Sequence, residues 1–394
     1  MRDGKEKISS VLMLSQTFYP ALGGSEKQAF ELSRSLAARG VKVTVYTRRL
    51  TPGLPAYEET GGFRVLRASR LGSGLVDSAW FMLKAFFHIF LNAGEYQLVH
   101  VHLASSPAVA AALACRLRGL RLLVKLGGGR GVDEVTLSTR TVAGRMKLAF
   151  FAWAKPRLLV MNKEVYDWLR SEPAFKDARL VPFRNGVDTG RYTPPLYAEK
   201  MKEKQALGIE GVMTFLFVGR LSPEKRVREF VEAVAEIFAE RRDRPAMQLL
   251  IVGSGPEEAA IRREVKAAGL EDAVRLEGRR DELLPYYRAA DVFILPSESE
   301  GLSNSMLEAM SSGLAVLASR VGGAREAVAE GENGFLFDPF SRQELKGHML
   351  RFLAEPSLAV KMGEKSRQVA VSRYSMAKVT DDLLEIYAAG GRAA

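Results

Sequence analysis

Two glutamates, Glu300 and Glu308, lie in the part of this 394-residue chain that is most suggestive of chemistry. The apolar run just before them, residues 291–295, is typical of a buried parallel strand. Ser303 is a good N-cap for a helix over residues 304–313. In this arrangement both carboxylates lie at the carboxyl edge of a parallel sheet, where α/β proteins bind ligands.

The start of the same helix predicts anion binding. Backbone N–H groups there lack helical partners and favour phosphate, and they belong to Gly301, Leu302, Ser303, Asn304 and Ser305. Carboxylates can bind hydroxyl groups, and the backbone amides beside them can bind phosphates. A nucleotide sugar carries both hydroxyls and phosphates, so it suits this arrangement. The alternative is a capped surface helix with two solvated glutamates.

Arg220 and Lys225 follow another predicted strand, residues 214–218. Because carboxyl ends of parallel strands meet at one edge, we expect these cations to lie opposite the two glutamates. They would supply the positive charge that a diphosphate leaving group needs. The alternative is a solvated basic pair.

Two features of the first half also suggest a site. His100 and His102 end a predicted strand over residues 96–103, and alternation puts both rings on one face, in either a functional or a structural role. Gly23 and Gly24 form a turn between strand and helix that can bring amides close to an anion, although the geometry of a tight turn more often explains such a pair. The G-x-G-x-x-G spacing of a dinucleotide site is absent.

Strand–helix alternation in both halves predicts two doubly wound α/β domains with a cleft between them, residues 1–188 and 189–374. The first half is expected to end with a strand at residues 157–161 and a connection rich in turn residues. A final helix, in residues 375–394, is expected to cross back to the first domain.

Composition favours a soluble globular protein, with 47% hydrophobic and 26% charged residues. The single cysteine, Cys115, excludes an internal disulfide and fits a reducing, cytosolic setting. The apolar run at residues 11–14 is too short for a signal peptide, and no cysteine or histidine cluster has metal-site spacing.

Positive charge is concentrated in the first half. Residues 1–188 hold 28 Lys and Arg against 15 Asp and Glu, whereas residues 189–394 hold 29 against 31. Such a bias favours an anionic partner, namely a membrane surface, nucleic acid or an anionic substrate, or it serves solubility alone. No basic motif is interleaved with aromatic residues, so nucleic acid is not expected.

Residues 79–91 form a dense apolar segment that is shorter than a bilayer span and is interrupted by Lys84 and His88. It predicts either a helix buried on two sides, or an interfacial helix or wall of a site for a lipid-like acceptor.

Taken together, the motifs of the chain resemble those of the family 4 retaining glycosyltransferases with the GT-B fold. In chain order they are Tyr19-Pro-x2-Gly-Gly-x-Glu26, Val99-His-x-His102, Asn185-Gly-Val-Asp188, Val218-Gly-Arg-Leu-Ser-Pro-Glu-Lys225, Ile251-Val-Gly-Ser-Gly-Pro256, Glu300-Gly-x6-Glu308-Ala-Met, Gly322-Gly-x2-Glu326 and Asn333-Gly334. The resemblance implies two Rossmann-like domains facing a central cleft.

The resemblance also implies residue roles. Glu308 would bind the ribose hydroxyls and Glu300 the transferred sugar. Arg220 and Lys225 would stabilise charge on the diphosphate, and His102 would lie near the reacting sugar or the acceptor. The other implied donor-binding residues are Gly23, Gly24, Gly253, Gly255, Arg279, Gly301, Leu302, Ser303 and Asn304.

Two positions depart from the family pattern. Many members carry His-Gly after the fourth strand, where this chain has Lys125-Leu-Gly-Gly128, so that histidine's role is lost or has moved to His102, Lys125 or Arg130. We therefore name His100, Lys125 and Arg130 as acceptor candidates. Arg226 stands where glycine commonly follows the lysine.

The resulting hypothesis is a hexosyltransferase that moves a sugar, with retention and without metal or cofactor, from a UDP- or GDP-sugar. The acceptor would be a glycan, a lipid-linked molecule or a small molecule, in cell-surface polysaccharide or glycolipid synthesis. The expected location is the cytoplasm, with peripheral binding to the inner membrane face. The alternatives are a sugar-nucleotide epimerase or hydrolase on the same fold, or a basic membrane-binding module.

Overall fold

The structure is a computed structural model and describes residues 7–20, 23–129, 134–240 and 246–389. The chain divides into two compact units. The N-terminal unit comprises Met1–Gly186 and Met376–Ala394, and the C-terminal unit comprises Val187–Ser375. The predicted boundaries were residues 188/189 and 374/375.

A central sheet organises the N-terminal unit. Its strands are β1 (Ser10–Leu14), β2 (Lys42–Arg48), β3 (Tyr57–Thr60), β4 (Phe63–Ala68), β5 (Leu98–Val101), β6 (Arg121–Lys125), β7 (Arg157–Val160) and β8 (Arg179–Pro182). They form an 8-stranded sheet in the order β3-β4-β2-β1-β5-β6-β7-β8. All neighbours are parallel except β3 and β4. All four residues of β5 are buried, as expected where helices cover both faces of a parallel sheet.

The helices of this unit connect successive strands. They are α1 (Gly24–Ala38), α2 (Gly74–Leu91), α3 (Ser106–Arg118), α4 (Glu134–Thr139), α5 (Val142–Ala154) and α6 (Lys163–Ser171). Apolar side chains on both sides of the sheet form two cores, one of which contains the buried side of α2 and α3.

The C-terminal unit is built in the same way. Its strands are β9 (Met213–Val218), β10 (Met247–Val252), β11 (Val274–Gly278), β12 (Val292–Leu295), β13 (Ala315–Ser319) and β14 (Gly334–Phe337). They form a 6-stranded parallel sheet in the order β11-β10-β9-β12-β13-β14. Its helices are α7 (Tyr197–Leu207), α8 (Val227–Glu240), α9 (Glu258–Ala267), α10 (Leu284–Ala289), α11 (Asn304–Ser311), α12 (Ala324–Ala327), α13 (Arg342–Ala354) and α14 (Pro356–Tyr374).

The last helix, α15 (Met376–Ala388), belongs to the N-terminal unit. Its buried side chains, which include Val379 and Leu383, join the apolar core beneath β1 and α1. Arg39, the C-cap of α1, pairs with Asp381 at 2.8 Å. The predicted fold class, two Rossmann-like α/β domains with a terminal helix that returns to the first, is therefore confirmed.

Two sequence predictions are wrong. Residues 157–161 do not form the last strand of the first half, because β8 pairs in parallel with β7, with Leu180 opposite Leu158. Only Leu180 is buried in β8, and Pro182 ends it, so this edge strand resembles a turn in sequence.

The segment over residues 79–91 is not buried on two sides, because α2 buries one row of side chains only.

Candidate functional site

Strand order brings the predicted loops of the C-terminal unit together. β9 lies between β10 and β12, so the loops that follow these three strands meet at one edge of the sheet. The Glu298 amide donates to the Glu224 carbonyl at 2.8 Å, and the Leu221 amide donates to the Ser254 carbonyl at 3.0 Å. These backbone bonds join the β9 loop to the loops on both sides of it.

Lys225 and Glu300 form an ion pair across this edge. Their side chains are 20% and 17% exposed, so the pair is reachable from solvent but largely sheltered. The Ser297 hydroxyl donates to the same carboxylate oxygen at 3.4 Å. The expected juxtaposition of the basic loop and the glutamate loop is thus present in the structure. The role assigned to each residue remains a prediction.

Glu308 accepts a hydrogen bond from a residue that the sequence did not indicate as part of the site. The Tyr287 hydroxyl donates to Glu308 Oε2 at 2.9 Å, and both side chains are buried. Burial, together with the charge of Glu308, raises the pKa of Tyr287 well above its usual range, so the phenol remains a donor. No motif marks Tyr287, because its partner lies in a different helix.

The predicted start of α11 is confirmed. Ser303 is its N-cap and accepts from the Met306 amide at 3.3 Å, and the helix begins at Asn304. Gly313, expected to end the helix, follows its last residue closely and has φ +80°, a conformation that favours glycine.

Three glycines permit close contact between the site loops. A Cβ on Gly253, whose φ is +145°, would lie 1.8 Å from the Gly219 carbonyl oxygen. A Cβ on Gly322 would lie 1.7 Å from the Glu300 carbonyl oxygen. Gly255 makes a similar approach to the Leu221 backbone. These glycines therefore set the positions of the β9 and β12 loops, whatever they contribute to donor binding.

Two more predicted site residues, Arg220 and Arg279, lie at the same edge, and Arg226 lies beside them with its side chain 18% exposed. Arg220 and Arg279 are exposed after β9 and β11. Arg226 has φ +51°, which explains why glycine is common at this position in the resembling family. Its guanidinium lies 4.7 Å from the Phe340 ring centre and 3.1 Å from a Glu229 carboxylate oxygen.

In the N-terminal unit the two histidines are stacked, with ring centres 4.5 Å apart, and both are buried. His100 shares a 2.7 Å hydrogen bond with the hydroxyl of Tyr387 on α15. Burial, with a smaller effect of the Lys125 charge, lowers the pKa of His100 to about 3. The pKa of His102 is also well below its usual range, mainly through burial. Both imidazoles are therefore neutral at pH 7.

The buried position of His100 does not fit its predicted contact with an acceptor. Its bond to Tyr387 instead fastens the returning helix to β5. His102 is equally buried, at 1% exposure, and neither of its ring nitrogens has a hydrogen-bond partner among the described residues. Leu103, which follows it, has φ +121°, a strained conformation for leucine that no sequence signal predicted.

The remaining predicted site residues of the N-terminal unit lie away from the two histidines in sequence, and those that the structure describes have different contacts. Lys125 is buried and donates to Asn185 Oδ1 at 2.7 Å, so it too does not present an ammonium group to an acceptor. Gly23 is the N-cap of α1, and Gly23 and Gly24 are both exposed. Arg130 lies outside the described residues.

No group of three or more His, Cys, Asp or Glu side chains suited to a metal ion occurs in the described part of the chain. The expectation of a metal-free site is not tested by this observation and stays a prediction.

Two family models match the chain. "Glycosyltransferase Family 4" matches residues 22–191, and "Glycosyl transferases group 1" matches residues 199–369. A D-inositol 3-phosphate glycosyltransferase of Acidothermus cellulolyticus is 30% identical, over 86% of this chain and 80% of its own length. The UDP-Gal:alpha-D-GlcNAc-diphosphoundecaprenol alpha-1,3-galactosyltransferase of Escherichia coli is 26% identical, over 75% and 76%.

Among solved structures, Anabaena HepE in complex with UDP-glucose has a similar fold. Its TM-score is 0.76 at 19% identity, covering 96% of this chain and 98% of HepE.

Proposed function

The chain belongs to glycosyltransferase family 4 and is a glycosyltransferase; from this premise we propose that its donor is a nucleotide-diphosphate sugar, UDP-linked in preference to GDP-linked. The observation that carries the proposal is a pair of glutamates at a single edge of the C-terminal sheet. Glu300 forms an ion pair with Lys225, and Glu308 accepts a hydrogen bond from Tyr287. HepE, which binds UDP-glucose, and the E. coli relative, named for UDP-Gal, favour uridine.

Each glutamate suits a different part of such a donor. Tyr287 occupies one oxygen of Glu308 and fixes the carboxylate, which can then accept hydrogen bonds from two adjacent ribose hydroxyls. Glu300 lies in the loop between β12 and α11, and it accepts hydrogen bonds from hydroxyls of the sugar. The amides from Gly301 to Asn304 face the phosphates at the start of α11.

Lys225 changes partner in this proposal. It pairs with Glu300 in the structure. A diphosphate at the helix start draws it towards phosphate oxygens, and Arg220 of the same loop supplies a second positive charge. Glu300 is then available to the sugar. The two cations stabilise the charge that develops as the bond between the anomeric carbon and the phosphate oxygen breaks.

Transfer proceeds with retention. The acceptor oxygen attacks the anomeric carbon on the face that the diphosphate leaves, and the acceptor proton passes to a phosphate oxygen of the leaving group. The bonding electrons of the broken C–O bond stay with the diphosphate. Because Arg220, Lys225 and the helix start carry the stabilising charge, the reaction needs no metal and no cofactor.

The acceptor hydroxyl belongs to a glycan, a lipid-linked molecule or a small molecule, and the setting is cell-surface polysaccharide or glycolipid synthesis in the cytoplasm. The diphosphoundecaprenol-linked acceptor of the E. coli relative supports the lipid-linked class.

The test is release of free nucleotide from a panel of UDP- and GDP-sugars. Lys225→Ala should reduce turnover by at least about 100-fold, the size seen when one group stabilising transition-state charge is removed. Glu308→Ala removes the contact to the ribose hydroxyls and should reduce turnover at donor concentrations below the KM. Lys361→Ala, whose side chain is 70% exposed on α14, is the control and should match the wild type. Wild-type turnover in the first two variants would refute the site.

Product analysis separates the alternatives. NMR of the glycoside should show the anomeric configuration of the donor. An isomerised nucleotide sugar without acceptor product would favour an epimerase on the same fold, and free sugar alone would favour a hydrolase.

A further inference from the structure

Helix α2 carries an apolar face that points away from the core. Its buried residues are Asp77, Phe81, Ala85 and Ile89, each four positions after the last. The row on the opposite side of the helix is also spaced by four and consists of Leu75, Ala79, Leu83, Phe87 and Leu91, all exposed. A surface helix of a soluble domain normally carries polar residues on that side.

The helix is fixed to its own unit by that buried row. Arg48 and Arg70 donate to the Asp77 carboxylate at 3.3 and 3.1 Å. Phe81, Ala85 and Ile89 belong to the core of the N-terminal unit. Although Gly74–Leu91 is long and apolar enough to cross a bilayer, crossing would break these contacts, so we expect the helix to lie along an interface.

Two neighbouring helices extend this face. Leu117 on α3 and Met146 and Trp153 on α5 are 58%, 69% and 53% exposed. Arg118 of α3 lies 5.1 Å from the Phe90 ring centre on α2, and Arg116 lies 5.8 Å from the Trp153 ring centre on α5. The exposed sides of α2, α3 and α5 therefore form one continuous surface, here called the three-helix face.

The charge of the three-helix face has a single sign. Its helices carry five basic residues, Lys84, Arg116, Arg118, Arg145 and Lys147. Their one acidic residue is Asp77, which is buried and paired. The ammonium of Lys84 lies 5.1 Å from the Trp80 ring centre. Cationic side chains lying over aromatic rings beside exposed leucines are typical of a membrane–water interface.

We propose that the three-helix face docks onto a bilayer surface rich in anionic lipids. The outer row of α2 enters the boundary between headgroups and acyl chains, while the arginines and lysines contact headgroup phosphates. A second copy of the chain fits poorly, because a two-fold contact would bring like-charged faces together. The proposal goes beyond sugar transfer and does not depend on the identity of the donor.

The experiment is co-sedimentation of the full chain with vesicles. Phosphatidylglycerol–phosphatidylethanolamine vesicles should bind the protein, phosphatidylcholine vesicles should bind it much less, and added salt should weaken the anionic binding. At about 1 kcal/mol per cation, Arg116→Ser with Arg118→Ser should weaken binding about 30-fold. Leu83→Glu with Phe87→Glu should abolish it.

The matched control is Val360→Glu with Val371→Glu, two exposed apolar positions on α14 of the C-terminal unit. This control should bind vesicles as the wild type does. Thermal melting of every variant checks folding, and the arginine variant, which leaves the apolar row intact, tests the proposal even if the glutamate variant unfolds.

Three outcomes would overturn the proposal. The first is a wild-type protein that does not bind anionic vesicles, and the second is wild-type binding by both the arginine variant and the Leu83→Glu, Phe87→Glu variant. The third is a dimer, seen by light scattering, that the Leu83→Glu, Phe87→Glu substitutions disrupt while the wild type binds no vesicles. Since vesicle binding is measured without donor, its failure is separate from failure of the proposed reaction.

Discussion

Tyr287→Phe should weaken nucleotide binding while leaving the chemical step nearly unchanged. The substitution removes one hydroxyl whose hydrogen bond to Glu308 Oε2 is 2.9 Å long, and it keeps the ring that packs beside Tyr192 and Phe293. Because the volume of the ring is unchanged, no large cavity forms. The perturbation is therefore confined to one contact of Glu308.

The size of the effect follows from the burial of that contact. A hydrogen bond to a charged group is worth about 1.5–3 kcal/mol, and at 1.4 kcal/mol per factor of ten this corresponds to about 10- to 100-fold in affinity if Glu308 loses its position. Part of the loss will appear as lower stability of the unit. We expect the Kd for UDP to rise about tenfold and the KM for the donor to follow.

Calorimetric titration with UDP and steady-state kinetics with the donor measure the two effects separately. kcat at saturating donor should stay within about threefold of the wild type, since Tyr287 acts on binding through Glu308. Tyr286→Phe is the matched control, because its hydroxyl lies on the same helix and donates to Glu277 at 3.0 Å instead. It should lower stability without raising the Kd.

If Tyr287→Phe binds UDP as tightly as the wild type, the hydrogen bond to Glu308 does not support nucleotide binding. Equal weakening of UDP binding by Tyr286→Phe would also refute this role, because the effect would then come from loosening α10. A double-mutant cycle with Glu308→Gln gives the coupling directly, and additive effects would show that the two residues act independently.

Three other predictions follow from the structure. Gly253→Ala should lower the free energy of unfolding by about 1–3 kcal/mol and reduce donor affinity, because the new Cβ would collide with the Gly219 carbonyl; chemical denaturation checks this, and an unchanged midpoint would contradict it. The free energy of unfolding should fall as pH drops from about 6.5 towards 3, by up to about 1.4 kcal/mol per pH unit from His100. In this pH range the His100 ring binds a proton in the unfolded chain but not in the folded protein. Urea unfolding against pH measures that slope, which His100→Asn should reduce; an unchanged slope would refute the assignment. Turnover should survive a chelator such as EDTA, and activity restored only by added divalent ions would refute metal independence.

The sequence by itself determined the architecture and the composition of the donor-side edge. Strand–helix alternation and the order of the motifs predicted two Rossmann-like domains, and capping chemistry predicted the start of α11 at Asn304. These features are local: a cap, a turn or a buried strand depends on residues within a few positions of one another. The juxtaposition of Lys225 and Glu300 followed from one further rule, that parallel strands end at a common edge.

Only the tertiary structure decided what each face of an element meets. Tyr287 reaches Glu308 from another helix, and His100 is buried against Tyr387, which lies 287 positions along the chain. For α2, the sequence showed an apolar segment, but packing decided that Asp77 points inward and Leu83 and Phe87 point outward. The spacing of residues in the sequence predicts that a helix face is apolar. Whether other parts of the protein bury that face depends on chain segments far away in sequence. For this reason a helix that resembled a core helix in sequence has an exposed apolar face.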